Sequence, residues 1–550
     1  MPHDPATDQP TPLATDPSWW DGSVIYQIYP RSFADANGDG VGDLAGIRAR
    51  LDHVAQLGAD AIWLSPFYRS PMADFGYDVS DHCGVEPVFG TLDDADALIA
   101  DAHALGLRVI VDFVPNHTSD RHPWFVASRS SRDDPHRNWY FWRDSGPDGR
   151  PPNNWRARFT GEIGWHHDDD GQLRPRWDQP QTDPSASTSA WTWDDATGQW
   201  YLHTFLPEQP DLDWRNPSVV AAQHHVLRFW LDRGVDGFRI DAIITLGKPL
   251  GLPDVAPELE LIPESGLTDG DFTRAMVNEI RRLVESHRAD GVIIGEVAGI
   301  DLTSIREFVS DDHFHLAFTF PPMVDRWAAD RWRHHIDVAE RDHLGQPGPA
   351  WVLSNHDLPR HAERYGTEAR ARAAAVLLVG LRGTVVLYAG EELGLLDAEV
   401  PPARQLDPGL RDGCRAPIPW TAAPDHGWGP EPWLPFPRNA ATHHADAQAA
   451  DPGSVLHLYR RLIACRHASP ALRQGAFAWL DAPDGVLAWR RLADADERIV
   501  AVSFVAQDRE LDLPAGAWVL EVSSAGDGTE AGRSWTGALG PDEAVIARRA

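Results

Sequence analysis

Cysteine is scarce in this 550-residue chain: Cys83, Cys414 and Cys465 form an odd set without metal-ligand spacing. A disulfide framework and a cysteine-built zinc site are thereby excluded, and a reducing, cytoplasmic compartment is expected. Long apolar runs are missing as well. The longest, residues 373–381, is far below the ~20 residues that span a bilayer. Residues 1–17 are polar and proline-rich, lack the charged-then-apolar pattern of a secretion signal, and read as a flexible terminus. Positive charge is the third shortage. Lys and Arg total 49 against 82 Asp and Glu, for a net charge of −33. Such a surface argues against nucleic acid or an anionic membrane as partner.

What is present is ordinary globular material, 42% hydrophobic and 24% charged, in a chain long enough for two or three domains. The 24 tryptophans offer flat faces that suit sugar rings, nucleobases and core filling alike. Residues 24–29, 61–64, 109–113, 237–241, 292–296, 315–320, 351–354 and 384–388 read as buried strands. Helical spacing over 47–57, 92–105, 224–231 and 455–466 alternates with them. Eight such strands close a TIM barrel, here assigned to 18–117 and 213–475. The rhythm stops over 118–212, which predicts an inserted lid subdomain after the third strand. Short alternating runs at 486–489, 499–504 and 518–521 make 476–550 a C-terminal antiparallel β-sandwich domain.

The chemistry gathers at strand ends. In Asp236-Gly-Phe-Arg239-Ile-Asp241-Ala242, alternate residues of a strand face the same way, so Arg239 and Asp241 project together. A guanidinium beside a carboxylate favours its ionised form, the setting a carboxylate nucleophile needs. Asp112 with His117, then Glu296, then His356 with Asp357, fall at other strand ends, and a parallel barrel delivers such groups into one cleft. Two carboxylates flanking one bond are the minimum for retaining glycoside cleavage. A metallohydrolase is disfavoured, because His117 and His356 lie on different strands and neither has an i,i+4 histidine partner. Separately, Asp35, Asn37, Asp39 and Asp43 supply oxygen side chains at positions 1, 3, 5 and 9 of a loop with Gly40 at position 6. That spacing predicts a divalent-cation loop; Gly46 at position 12 and the absence of a preceding helix exclude an EF-hand.

Asp112-Phe-Val-Pro-Asn116-His117, Gly237-Phe-Arg239-Ile-Asp241, Gly295-Glu296 and Ser354-Asn-His356-Asp357 resemble, in order, the four motifs of glycoside hydrolase family 13. Gln209-Pro-Asp211-Leu-Asp213 is similar to the family's fifth. Val24-Ile-Tyr-Gln-Ile-Tyr-Pro30 and the block from Arg411 to Trp420 resemble its α-glucosidase and oligo-1,6-glucosidase branch. The resemblance implies that Asp241 is the nucleophile, Glu296 the acid/base and Asp357 the transition-state stabiliser. It implies that His117, Arg239 and His356 surround the terminal sugar, with Tyr77 stacked on it. Asp74 and Arg411 would close the pocket behind that sugar, with Arg415 beside them. Phe159 and Phe205 would form apolar walls from the lid. The 35–43 loop would be the branch's single structural Ca2+ or Mg2+ site, with Val41 adding a carbonyl; no organic cofactor is implied.

The expected activity is therefore a retaining exo-α-glucosidase on short α-glucosides such as maltose or sucrose, as a monomer or homodimer. In this branch a small residue at the position of Ala242 accompanies α-1,4 preference. The alternative is a glucosyltransferase or a sucrose or trehalose isomerase of the same fold, using a sugar or alcohol acceptor. A catalytically silent interaction subunit is disfavoured by the complete set of acids. A sugar-binding role for 476–550 lacks a separate aromatic platform. Extra residues between Gly161 and Ser189, including His166 to Asp170, form an acidic loop that either lines the aglycone side or decorates the surface of the lid, the second being the preferred expectation.

Overall fold

The computed structural model describes residues 18–146, 149–157, 165–167, 173–175, 189–255, 268–297, 305–310, 312–342, 349–429 and 431–550. Eight strands form the central sheet: β1 (Val24–Ile28), β2 (Ala61–Leu64), β3 (Arg108–Phe113), β4 (Gly237–Ile240), β5 (Val292–Gly295), β6 (Leu316–Ala317), β7 (Ala350–Val352) and β8 (Thr384–Tyr388). All pair in parallel, in the order β6-β5-β4-β3-β2-β1-β8-β7. The ring closes between β6 and β7 through a parallel bridge from Phe318 to Ala350, where the Thr319 amide donates to the Ala350 carbonyl at 3.0 Å.

Alternation along these strands separates two apolar layers. Ile25, Ala61, Trp63, Ile110, Val292, Ile294, Leu316, Phe318, Val352 and Val386 fill the barrel, with Trp19 and Trp20 in the same cluster. Their neighbours, such as Val24, Ile62, Val109, Phe238 and Ile293, point outward into the layer shared with the helices. A strand buried on both faces reads as a continuous apolar run, which is why these segments stand out in the sequence.

Several boundaries differ from the sequence expectation. The single helix predicted over 47–57 is two, Leu44–Ala49 and Leu51–Leu57, broken at Arg50 (φ −117°, ψ 7°). The helix expected at 224–231 starts at Pro217, with Asn216 capping the Ser218 amide; Pro at the first helical position and Asn before it are start signals that apolar spacing alone overlooks. The lid carries a helix, Pro123–Ser130, and an antiparallel sheet of Trp142–Arg143, Gln199–Leu202 and Trp191–Asp194. Within the segment 161–189 only the pair Trp165–His167 with Leu173–Pro175 and residue 189 are described; Asp168 to Asp170 and Phe159 lie outside the described residues, as do residues 1–17. No helix among the described residues is long and apolar enough to cross a membrane.

The C-terminal part is a six-stranded antiparallel sheet, ordered Ala476–Trp479, Val486–Ala493, Asp496–Ser503, Ala544–Arg549, Trp518–Ser523, Ser534–Trp535. Its second layer is only a two-stranded ribbon, Arg509–Glu510 with Ala538–Leu539, which shares a cluster with Val486, Ala488, Ile499, Ala501 and Val545. The opposite face, through Leu487, Trp489, Val500 and Val502, joins the barrel's main core. There it meets the helix Glu368–Gly380, which is buried throughout from Ala371 to Gly380. A helix apolar on all sides needs cover on all sides. The approach is tight enough that a Cβ on Gly380 would fall 2.7 Å from Val500 Cγ1. Gly380→Ala is therefore expected to destabilise the protein by about 1–3 kcal/mol through overpacking, despite alanine's better helix propensity. A urea unfolding midpoint unchanged by this substitution would contradict that packing argument.

Candidate active site

The inward positions of the strands become polar at their C-terminal ends. Gln27 follows Ile25, Asp112 follows Ile110, Arg239 and Asp241 follow Gly237, and Glu296 follows Ile294 in the same alternation. Arg239, only 3% exposed, sits at the centre of this ring. Its Nη1 reaches Asp241 Oδ1 at 2.7 Å and Asp112 Oδ1 at 3.3 Å, and its Nη2 reaches Glu296 Oε2 at 2.8 Å. Trp63 and Tyr77 flank the guanidinium, with ring centroids 5.3 and 5.8 Å away. Directly after Asp241, Ala242 takes a left-handed conformation (φ 44°) and donates its amide to Glu296 Oε2 at 2.8 Å. Alanine in that region costs roughly 1–2 kcal/mol, and here the turn ties Asp241 and Glu296 together.

A second web lies around Asp357. Arg411 Nη1 and Arg415 Nη2 both donate to Asp357 Oδ1, at 3.0 and 3.1 Å. Arg411 Nη2 also meets Asp74 Oδ1 at 2.5 Å and Asp407 Oδ1 at 2.6 Å, while its Nε holds Asp407 Oδ2 at 2.8 Å. Tyr77 stacks on His356 (5.4 Å between centroids, 8° between planes) and donates its hydroxyl to Asp112 Oδ2 at 3.0 Å. Gln27 Nε2 meets His356 Nδ1 at 2.8 Å. From the lid, Gln209 Nε2 donates to Asp74 Oδ2 at 3.0 Å and lies 3.0 Å from His117 Nε2, and Phe205 packs edge-on to His117 at 5.3 Å.

Exposure sorts these groups by role. The side chains of Asp241, Glu296 and Asp357 are 10%, 15% and 29% exposed, whereas Arg239, Arg411 and Arg415 are 3%, 8% and 0%. The three acids are thus the members that face the open mouth, and the arginines hold them from behind. Arg415, expected from the sequence to border the sugar, has no free surface: its Nε donates to the His356 carbonyl at 2.7 Å and its guanidinium supports Asp357 and Asp407.

Electrostatics separates the acids further. Burial pushes Asp357 up, yet His356, Arg411 and Arg415 outweigh it and hold the carboxyl well below the usual range. Burial pushes Asp241 well above the ordinary aspartate value; Arg239 opposes this, and the nearby Glu296, Asp112 and Asp357 add to it. The expectation that Arg239 alone secures the ionised form is therefore incomplete, because one guanidinium is shared among three carboxylates. Asp112 rises to about 6, from burial first, with Arg239, Tyr77 and Trp63 opposing. Burial lowers His117 to about 4 and His356 to about 3, so both imidazoles are neutral at pH 7.

Every described residue expected at the sugar pocket, from Asp74 to Arg415, falls within these two webs. Asp112, read from the sequence as a strand-end group but given no role at the sugar, joins the first web through Arg239 and Tyr77. Reasoning from sequence assigned no role to two more, Gln209 and Asp407. Gln209 lies in a recognised motif but carries no charge to draw attention. Asp407 is marked only by its i,i+4 spacing from Arg411.

The 35–43 loop lies apart from these webs. Asp35 Oδ1 accepts the Gly38 amide at 2.7 Å, Asn37 Oδ1 the Asp39 amide at 2.8 Å, and Asp39 Oδ1 the Val41 amide at 2.9 Å. Asp43 Oδ1 caps the following helix through the Gly46 amide at 2.6 Å. Among the described residues no group of three or more His, Cys, Asp or Glu side chains is gathered to hold a metal. The candidate set at this loop is instead carboxylate, amide and carbonyl oxygen, a donor chemistry that suits a hard cation.

A parallel eight-stranded barrel with three acids exposed at the carboxyl ends of its strands is the architecture of a barrel glycosidase. The chain belongs to glycoside hydrolase family 13, in its α-glucosidase and oligo-1,6-glucosidase branch: residues 27–475 match the family model for the α-amylase catalytic domain. A probable α-glucosidase of Rhizobium meliloti (strain 1021) is 42% identical over 519 residues, spanning 87% of this chain and 88% of that protein. An oligo-1,6-glucosidase of Heyndrickxia coagulans is 33% identical over 564 residues, spanning 91% and 95%. The crystal structure of an α-glucosyl transfer enzyme, XgtA, superposes with a TM-score of 0.84 at 38% identity, covering 98% of this chain and 100% of that one.

A catalytic Asp241 must be ionised, and its raised pKa means the ionised form is lost as pH falls through a value above the usual ~3.9. The acid limb of kcat/KM is expected above that value. Arg239→Lys, which cannot span three carboxylates, should move the limb higher still and lower kcat/KM by about 10²-fold or more. A variant with an unmoved acid limb would contradict this account of the arginine.

Proposed function

We propose that this enzyme is a retaining exo-α-glucosidase that releases terminal glucose from short α-glucosides such as maltose or from sucrose, with α-1,4 bonds preferred. The observation that carries the reading is Arg239, which holds Asp241 and Glu296 on two nitrogens of one guanidinium. In the first step an Asp241 oxygen attacks C1, Glu296 gives its proton to the glycosidic oxygen, and the C1–O bond breaks to leave a glucosyl ester on Asp241. In the second, Glu296 takes a proton from water, the water oxygen attacks C1, and the ester bond breaks. Two inversions return the α-anomer. In this reading Asp357, held ionised by Arg411 and Arg415, stabilises oxocarbenium charge. Exo action is supported by the Arg411–Asp74 contact, a buried tie between two loops.

A second reading is glucosyl transfer or sucrose isomerisation, of which the transfer is favoured by the likeness to the α-glucosyl transfer enzyme XgtA. It shares the first step and differs only in the hydroxyl that replaces water. A cytoplasmic setting is part of the proposal, supported by three free cysteines, Cys83, Cys414 and Cys465.

The deciding experiment is a time course on maltose, sucrose, isomaltose and starch, with the anomer of early glucose read by NMR and Asp241→Asn alongside. Expected are α-glucose, maltose hydrolysed faster than isomaltose, starch untouched, and a variant slowed at least ~10³-fold. β-Glucose would reject retention, and new glucosides in place of glucose would move the assignment to transfer.

The proposal extends to one divalent cation, Ca2+ or Mg2+, at Asp35, Asn37, Asp39, Asp43 and the Val41 carbonyl. Bound there, the ion would supply positive charge that fixes the loop; no catalytic step is assigned to it. Chelation with EDTA should lower Tm and added cation restore it, since an ion that binds only the folded state stabilises it. A Tm indifferent to EDTA rejects the site.

A further inference from the structure

Lys248 is the only lysine in the chain; every other one of the 49 Lys and Arg positions is arginine. Where a sequence supplies its positive charge almost wholly as guanidinium, the one ammonium marks a place where the difference matters. Lys248 is also buried, its side chain 3% exposed. Its Nζ donates to Asp211 Oδ2 at 2.8 Å, to Asn116 Oδ1 at 2.8 Å and to the Thr245 carbonyl.

Those three acceptors come from three segments that build the pocket. Asn116 precedes His117, and its Nδ2 also reaches Asp211 Oδ1 at 3.1 Å. Asp211 lies two residues after Gln209, whose amide bonds Asp74 and meets His117. Thr245 ends the turn after the nucleophile: its hydroxyl donates to the Ala242 carbonyl at 2.7 Å and its amide to the same oxygen at 3.0 Å. A compact ammonium directs three N–H bonds from one point and so serves three converging acceptors. A guanidinium spreads its donors over a rigid plane and needs more room than this buried position gives.

We propose that Lys248 is a positioning residue that holds the Asp241 turn in register with the His117 and Gln209 arms of the sugar pocket. It touches neither substrate nor reacting atoms. Its effect on the chemistry comes through the placement of Asp241 against a sugar fixed by the other two segments.

The inference rests on the α-glucosidase reading. The test compares wild-type enzyme with Lys248→Arg on p-nitrophenyl α-glucoside, reading kcat and KM separately with Tm. Arginine keeps the charge but not the three-point geometry. A folded variant is expected to lose about 10²-fold in kcat with KM changed far less, because misplacement by ~1 Å costs the chemical step that much. A folded variant with wild-type kcat overturns the inference alone; a wild-type enzyme inert on every α-glucoside overturns it together with the glucosidase reading. Should the variant not fold, the wild type answers instead. Labelled with ε-15N lysine, it carries a single Nζ resonance, expected to shift when the glucose mimic deoxynojirimycin saturates the pocket. A resonance that stays put under saturation overturns the proposal.

Discussion

One buried arginine at the barrel mouth governs this site. Arg239 has no sequence-local reason to be buried, and a guanidinium withdrawn from water persists only where acceptors surround it. Asp112, Asp241 and Glu296 provide them, and the aromatic faces of Trp63 and Tyr77 complete the enclosure. The arrangement is reciprocal. Three carboxylates this close would repel one another without the cation, and the cation would be untenable without them. Strand alternation is what brings the four together, so the register of β3, β4 and β5 determines the chemistry directly.

Around this centre the molecule assigns work by depth. Arginines and neutral imidazoles form a rigid inner tier, the three acids stand in front of it, and loops from the lid and from residues 70–78 and 404–415 close the sides. Asp407 shows how far support extends. It binds Arg411 side-on and also reaches Arg415, so both cations that steady Asp357 are themselves oriented by one buried carboxylate. Burial pushes Asp407 up, yet Arg415 and Arg411 outweigh the loss of water and hold it low, at about 2.

Much of this was legible in the sequence because barrel strands are apolar on both faces and charged residues within them are anomalies. Arg239, Asp241 and Glu296 interrupt such runs and so announce themselves. Eight strands could be counted for the same reason. What escaped was set by contacts distant in the chain. The thin second layer of the C-terminal sheet reflects what packs against it, whereas the early start at Pro217 is the exception, marked locally by Asn216 and Pro217. Gln209 is an uncharged amide, and Asp407 sits in a loop with no periodicity; only three-dimensional neighbours give either a role. The net balance on Asp241 was illegible too, since pairing with Arg239 can be read from a strand but sharing it among three acids cannot.

The helix Glu368–Gly380 has a consequence for how the molecule is made. It belongs to the barrel, yet its outer side is covered by strands from the last part of the chain. During synthesis the barrel segments leave the ribosome first, and this helix emerges with an oily flank that nothing yet covers. The nascent enzyme therefore passes through an interval in which its catalytic half is complete in sequence but sticky in solution, a state that invites chaperones or aggregation until the final strands arrive.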